Sequence, residues 1–187
     1  IVSVRKPRFE ADDIIGTIVE TIKDKEIDTY IVSSDKDLMQ LVNEKTFIYD
    51  LGNRFKPQKT YDIEKVRNKW GVDPESIVEL LMLVGDSSDN IPGIDGVGKV
   101  TAAKLLNKYK TIDGIVENVD EIKNKRVRKG FSEGFESLDL IKKLITIDKE
   151  VPIKVDLEKY KYKISNNESL SKIYQTLEFH NLYKDLN

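Results

Sequence analysis

Within its first fifty residues the chain switches repeatedly between two hydrophobic periods, and this switching restricts it to one class of fold. From Ala11 the apolar residues Ile14, Ile15, Ile18, Val19 and Ile22 recur at spacings of three and four, the mark of a helix with one buried face. Asp12 and Asp13 then fall in its first turn. Residues 29–33 (T-Y-I-V-S) form a short β-branched run. Ser34-Asp35-Lys36-Asp37 opens a second helical stretch carrying Leu38, Met39, Leu41 and Val42, and residues 46–49 read as another strand. Residues 1–4 are also β-rich, and Pro7 ends any regular ladder there. Strand, helix, strand, helix, strand in so short a span predicts a parallel sheet with crossover helices, an α/β fold.

After Lys59 the pattern becomes helical. Helices are expected over 62–70, over 74–84 with Asp73 as N-cap and Pro74 at the first helical position, and over 99–109, 112–119, 133–145 and 168–177; residues 151–155 read as extended. The expected organisation is a partial α/β core over 1–60, followed by a helical region over 61–187.

Composition narrows the function classes. With 187 residues and 39% hydrophobic content the chain can build a core without staples, and with no cysteine it has neither disulfides nor a thiolate nucleophile. The longest apolar run, 77–84, is interrupted by Glu79 and is far shorter than the roughly 20 residues that span a bilayer, so neither a membrane anchor nor a leader is expected and the cytoplasm is the default location. Thirty-one basic and 33 acidic residues give a net charge of −2, which argues against nucleic-acid binding by bulk charge. The distribution says otherwise: between Gly96 and Gly130 nine basic residues face four acidic ones.

The acids gather at element ends. Glu10, Asp12 and Asp13 start a helix, Asp35 and Asp37 follow a strand, and Asp86 and Asp89 follow the apolar helix. Taken singly, each has a structural role open to it: Asp12 and Asp13 suit the helix dipole, and Ser34 with Asp37 fits a capping box. Three such clusters repel one another unless a cation neutralises them, and oxygen ligands without His or Cys select Mg²⁺ or Mn²⁺. Strand carboxyl ends are also where α/β sheets bind ligands. Paired metals held in this way hydrolyse phosphodiesters.

Beside the last cluster lies a glycine hairpin. Gly93, Gly96 and Gly98 permit close backbone approach, and the helix opening at Lys99, with Thr101 and Lys104 near its start, aims its first amides at the turn. Such a turn holds a phosphate without reading bases. Gly93 to Gly98 followed by Lys99 has Walker spacing, but Val100 stands where Ser or Thr must bind Mg²⁺, and no strand precedes it, so a nucleotide-hydrolysing loop is rejected. His180, between Phe179 and Leu182, is read as packing, and Trp70 and the tyrosines as core or surface anchors.

The segments E-A-D-D-I-I-G-T, S-S-D-K-D-L-M-Q-L and G-D-S-S-D-N-I-P-G-I-D-G-V-G-K-V-T-A-A-K-L-L, in that order, resemble the 5′-nuclease (flap endonuclease) domain of bacterial DNA polymerase I and its stand-alone 5′-3′ exonuclease relatives. The resemblance implies a PIN-like nuclease core, of which 1–60 is the C-terminal part, followed by a helical DNA-binding region over 61–187 with a helix-three-turn-helix element at 85–109. Glu10, Asp12, Asp13, Asp35, Asp37, Asp86 and Asp89 would bind metal, with Asp35, Asp37 and Asp86 catalytic. Gly93, Gly96, Gly98, Lys99, Thr101 and Lys104 would grip duplex DNA, and the carbonyls of Asn90, Ile91 and Ile94 would hold K⁺. The partner is DNA with a 5′ flap or 5′ end, with a polymerase domain possible on the same parent chain. Family members begin with a longer stretch that carries two more metal-binding aspartates, so weak or absent cleavage is expected of this chain alone. The reading from another class is a non-catalytic, sequence-independent DNA-binding module whose acids are structural.

Overall fold

The computed structural model describes residues 2–87, 89–133, 138–162 and 167–186. It divides into two compact units, one over Arg5–Ile153 and one comprising the residues up to Val4 together with those from Lys154 onward.

The larger unit begins with α1 (Ala11–Ile22), whose Ile14, Val19 and Ile22 face inward as the spacing requires. Strands β1 (Thr29–Val32) and β2 (Thr46–Asp50) pair in parallel, Thr29 opposite Thr46. A third strand, β3 (Lys59–Tyr61), joins β2 antiparallel, so the sheet is mixed, in the order β1-β2-β3. Three residues are too few to show a period of two, which explains why β3 was invisible in the sequence. Residues 2–4 form no strand, and the stretch after Ser34 is a short 3-10 helix, Asp37–Leu41, rather than an α-helix. Its Lys36 N-cap has no side-chain bond, and the Ser34/Asp37 capping box does not form. Instead Ser33 Oγ accepts from the Asp35 amide (3.0 Å) and Asp35 Oδ1 from the Asp37 amide (3.0 Å). These local bonds compete with helix initiation.

Next come α2 (Ile63–Trp70), α3 (Ile77–Val84), α4 (Lys99–Tyr109), α5 (Ile112–Glu117), α6 (Lys125–Glu133) and α7 (Leu138–Ile145). Asp62 caps α2 by accepting from the Lys65 amide. Asp73 is the N-cap residue, with Pro74 at the first position, of a 3-10 turn (Pro74–Ser76) that runs into α3; its side chain makes no cap bond and pairs with Arg67 instead. The apolar α3 is the centre of the core, with Leu80 and Leu83 fully buried and α4 and α7 packed on it. Glu79, which interrupts this run, accepts from the Ile112 amide (3.2 Å) at the start of α5. The helix expected over 133–145 is α7 alone, preceded by an unforeseen α6; residues 134–137 lie outside the described set. Residues 151–155 form no strand. Gln40 fastens the chain after α7 to the 3-10 turn: its Nε2 donates to the Ile145 carbonyl (3.0 Å) and its Oε1 accepts from the Ile147 amide (3.1 Å).

The smaller unit holds α8 (Leu157–Tyr160), α9 (Asn167–Thr176) and α10 (His180–Lys184), the last two adjacent, with Tyr174 tilted on Phe179. Among the described residues no helix is long and apolar enough to cross a membrane.

Candidate metal centre and nucleic-acid interface

The 3-10 turn after β1 and the loop after α3 bring Asp37, Asp86 and Asp89 together, one carboxylate oxygen from each lying within 4.8 Å of the others. Asp86 is only 6% exposed, and one oxygen of Asp37 is buried without a hydrogen-bond partner. Burial first, and then the charge of Asp35 with those of Asp86 and Asp89, pushes the Asp37 carboxyl up from 3.8 to about 6, against the opposing pull of Lys36. A carboxylate held this unfavourably marks a place where positive charge is wanted. Part of it comes from Lys36, whose ammonium pairs with Asp86. Burial alone would lower the Lys36 pKa, but the bond to Asp86 and the surrounding carboxylates raise it overall.

The remaining acids divide. Asp12 is raised by partial burial and then by Asp35, Glu10 and Asp13, and the charge of Asp35 acts on both Asp12 and Asp37. Asp35 therefore lies electrostatically between the start of α1 and the three-aspartate cluster. Asp13 is engaged in structure: its Oδ2 accepts from the Glu10 amide (3.1 Å), half of a capping box, and its Oδ1 from the Asp148 amide (2.9 Å). Glu10 is the N-cap residue of α1. Glu10, Asp12, Asp13 and Asp35 are not in the closely spaced group.

A backbone neck holds the aspartate loop. Asp86 and Ile91 exchange two bonds, Asp86 N to Ile91 O at 2.9 Å and Ile91 N to Asp86 O at 2.7 Å, and Ile94 N donates to Leu83 O at 2.8 Å. Gly85, at φ +76°, lies directly against Gly93: a Cβ on Gly85 would meet Gly93 N at 2.4 Å, and one on Gly93 would meet Val84 O at 2.3 Å. The bareness of Gly93 is thus used in packing. Of the three carbonyls expected to hold K⁺, that of Ile91 accepts from Asp86 and that of Ile94 from Val97 (3.0 Å), while Asn90 sits at φ +56°.

Past the neck, Gly96 turns the chain at φ +78°, and Gly98 caps α4 with an ordinary φ of −91° and no side-chain bond. A Cβ on Gly98 would meet nothing within 4 Å. Among the described residues no contact demands a glycine here, and the first amides of α4, beside this open position, have no partner inside the helix. Lys99 and Lys104 are exposed on α4, and Thr101 is half-buried. Asp95, in the turn, is clasped by Arg126 of α6 through two bonds of 3.0 and 2.8 Å, which draws the Asp95 carboxyl down and removes Arg126 from the free positive charge. Lys108 is likewise paired, with Glu121.

Sequence reasoning missed Lys36 as the internal counter-ion, the Arg126–Asp95 clasp and the anchoring of Asp148 by Asp13. The last two join residues far apart in sequence. Lys36 had a signal: a lysine between two aspartates of a proposed metal site.

Residues 72–168 match the family described as 5′-3′ exonuclease, C-terminal SAM fold, and residues 1–71 its N-terminal resolvase-like domain. DNA polymerase I of Bacillus subtilis is 35% identical over 179 residues, covering 96% of this chain and 20% of the polymerase. That of Rhizobium leguminosarum is 39% identical over 171 residues, 91% of this chain and 16% of the polymerase. The chain therefore spans about a fifth of the length of such relatives. Among solved structures, a T5 5′-exonuclease with bound zinc aligns with a TM-score of 0.66 at 20% identity, over 75% of this chain and 51% of that one. The catalytic core of Rad2 in complex with DNA substrate aligns at 0.58 and 16% identity, over 90% and 57%. These two likenesses show a shared fold, the family models describe it as resolvase-like followed by a SAM fold, and the family matches establish descent: the chain belongs to the 5′-3′ exonuclease family.

Proposed function

We propose that this chain carries the carboxylate centre and the DNA grip of a structure-specific 5′-nuclease, acting on DNA 5′ flaps or 5′ ends by two-metal-ion hydrolysis. The observation that carries the reading is the convergence of Asp37, Asp86 and Asp89 within 4.8 Å, the last two on a loop whose neck leads into the turn before α4. The donor set fits a hard divalent cation, Mg²⁺ or Mn²⁺: it is all oxygen, and one Asp37 oxygen is buried without a partner. Asp37, Asp86 and Asp89 would hold one ion, and Asp12 and Asp35 would supply negative charge beside it, with Glu10 and Asp13 setting the start of α1. When bound, the ions supply Lewis acidity to the phosphorus centre and to the attacking water.

The protein's own part is positioning. The first amides of α4, with Lys99, Lys104 and Thr101, hold backbone phosphates at the open face of Gly98, while Gly96 makes the turn. The Gly85–Gly93 contact couples that grip to Asp86 and Asp89, so a duplex held by one is presented to the other. Carbonyls of Asn90, Ile91 and Ile94 retain free lone pairs that a K⁺ ion could use. Because all these contacts are to phosphate, binding is independent of sequence and falls steeply with salt.

The Lys36–Asp86 pair and the structural bonds of Asp13 support the alternative, a non-catalytic DNA-binding module. A 5′-labelled flap duplex incubated with Mn²⁺ separates the two. The nuclease reading expects at most slow release of 5′ fragments, lost with chelator and in Asp86→Asn, and flap binding that Mn²⁺ strengthens in the unaltered chain but not in Asp86→Asn. The alternative expects flap binding with no cleavage, and binding unchanged by Asp86→Asn.

A further inference from the structure

Of the cations on α4 and on the helix that packs against its turn, Lys108 and Arg126 each have a carboxylate within 4.0 Å, as does Arg67 on α2. Among the described residues Lys69, Lys99 and Lys104 have none, and of these Lys69 and Lys99 converge on one aromatic side chain. Lys99 Nζ stands 4.3 Å from the Trp70 ring centre, and Lys69 Nζ 5.6 Å from it and 4.4 Å from that of Tyr61. Lys69 also donates to the Tyr61 hydroxyl at 3.2 Å.

The arrangement is held by the fold. Asn107 of α4 donates to the Gly71 carbonyl at the end of α2 (2.7 Å), and Gly71 packs so closely on Ala103 that a Cβ would come within 2.9 Å. Trp70 is thereby fixed against the start of α4. The two ammonium groups can be no more than about 10 Å apart, given their distances of 4.3 and 5.6 Å from the same ring. DNA carries a phosphate about every 3.4 Å of axis on each strand, so two cations within this limit can reach the same phosphate or nearby phosphates of one strand. Beyond Lys69 the surface continues into a cleft of about 310 Å³ lined by Lys59, Tyr61, Lys65, Asn68 and Lys69.

We propose that Lys69, Trp70 and Lys99 form a phosphate-holding site that extends the DNA grip from the α4 turn onto α2 and its cleft, with Trp70 as the positioning residue. Two like charges beside one ring, with no carboxylate between them, repel each other until an anion neutralises both. The ring attracts the cations without neutralising them, so it aims the lysines while leaving their charge for phosphate. This inference rests on the reading that the start of α4 meets DNA backbone.

The test uses the whole chain and a mixed-sequence duplex. Trp70 is the single tryptophan, so its emission reports the site directly and should change on DNA binding. Lys69→Ala should make the slope of log affinity against log salt shallower by about 0.9, which is up to about eight-fold weaker binding at 0.1 M salt. Trp70→Leu should weaken binding by about two- to five-fold, the scale of an exposed cation–π contact, while Trp70→Phe should restore it. Lys172→Ala, on α9, should change nothing. If Lys99→Ala and Lys104→Ala weaken binding and Lys69→Ala leaves both affinity and slope unchanged, the extension is wrong and the α4 reading stands. If all three bind as the unaltered chain does, the α4 reading itself falls. Equal binding by Trp70→Leu and Trp70→Phe removes the positioning role; should Trp70→Leu not fold, Lys69→Met and Lys99→Met, which keep the apolar stems, decide the matter.

Discussion

Replacing Asp37 with asparagine should stabilise the metal-free protein at neutral pH, the opposite of what loss of a structural aspartate does. The Asp37 carboxyl is raised from 3.8 to about 6, so the folded state holds its proton more tightly than the unfolded chain. For a group shifted in this direction, stability is lost as pH rises from about 4 to about 6 and stays lost above that. A shift of roughly two units corresponds to an upper bound of about 3 kcal/mol. Asp37 is only half-buried, and screening reduces this to roughly 1–2 kcal/mol. Its buried oxygen accepts no hydrogen bond, so the amide forfeits none there. Urea denaturation in chelator at pH 7.5 should show Asp37→Asn more stable by that amount, with the gap closing as pH falls from about 6 to about 4. Saturating Mn²⁺ should reverse the order, since a ligand at about 100 times its Kd adds about 2.7 kcal/mol to the unaltered chain and little to the variant. A variant that is less stable in chelator at pH 7.5, or a gap that does not move with pH, refutes the reasoning.

Lys36→Met removes the ammonium paired with the buried Asp86, and should lower metal-free stability by about 2–4 kcal/mol, with Mn²⁺ restoring most of it in a thermal melt. Gly93→Ala places a methyl group 2.3 Å from the Val84 carbonyl and should cost at least ~2 kcal/mol in urea denaturation. Gly98→Ala meets nothing in the protein and should stay within ~0.5 kcal/mol of the unaltered chain, yet weaken duplex binding measured by fluorescence anisotropy, because its methyl occupies the phosphate approach.

What the sequence conveyed follows from the range of the interactions involved. The period of α1, the β-branched runs of β1 and β2 and the long apolar α3 are local signals, and each was readable. The three-residue β3 and the 3-10 turn at Asp37–Leu41 were not, because the first is too short for a period and the second is set by serine and aspartate side chains competing for the backbone. At the candidate site, residue types and element ends were enough to nominate Asp37, Asp86 and Asp89. They could not separate Asp13, which is tied to Asp148 135 positions away, from acids free to face a cation. The glycines were read alike as phosphate-facing, whereas Gly93 touches Val84 and Gly98 faces open space. That difference exists only once α3 and the loop have folded against each other. The convergence of Lys69 and Lys99 on Trp70 joins α2 to α4 and had no local signal at all.

The central claim is that the three converging aspartates hold a divalent cation beside a DNA-gripping turn. Calorimetric titration of Mn²⁺ into the chain, with and without a 5′-flap duplex, tests it most directly. The account predicts a Mn²⁺ site that tightens when DNA is present and disappears in Asp86→Asn. A Mn²⁺ isotherm that is the same in Asp86→Asn, or indifferent to the flap duplex, would contradict it.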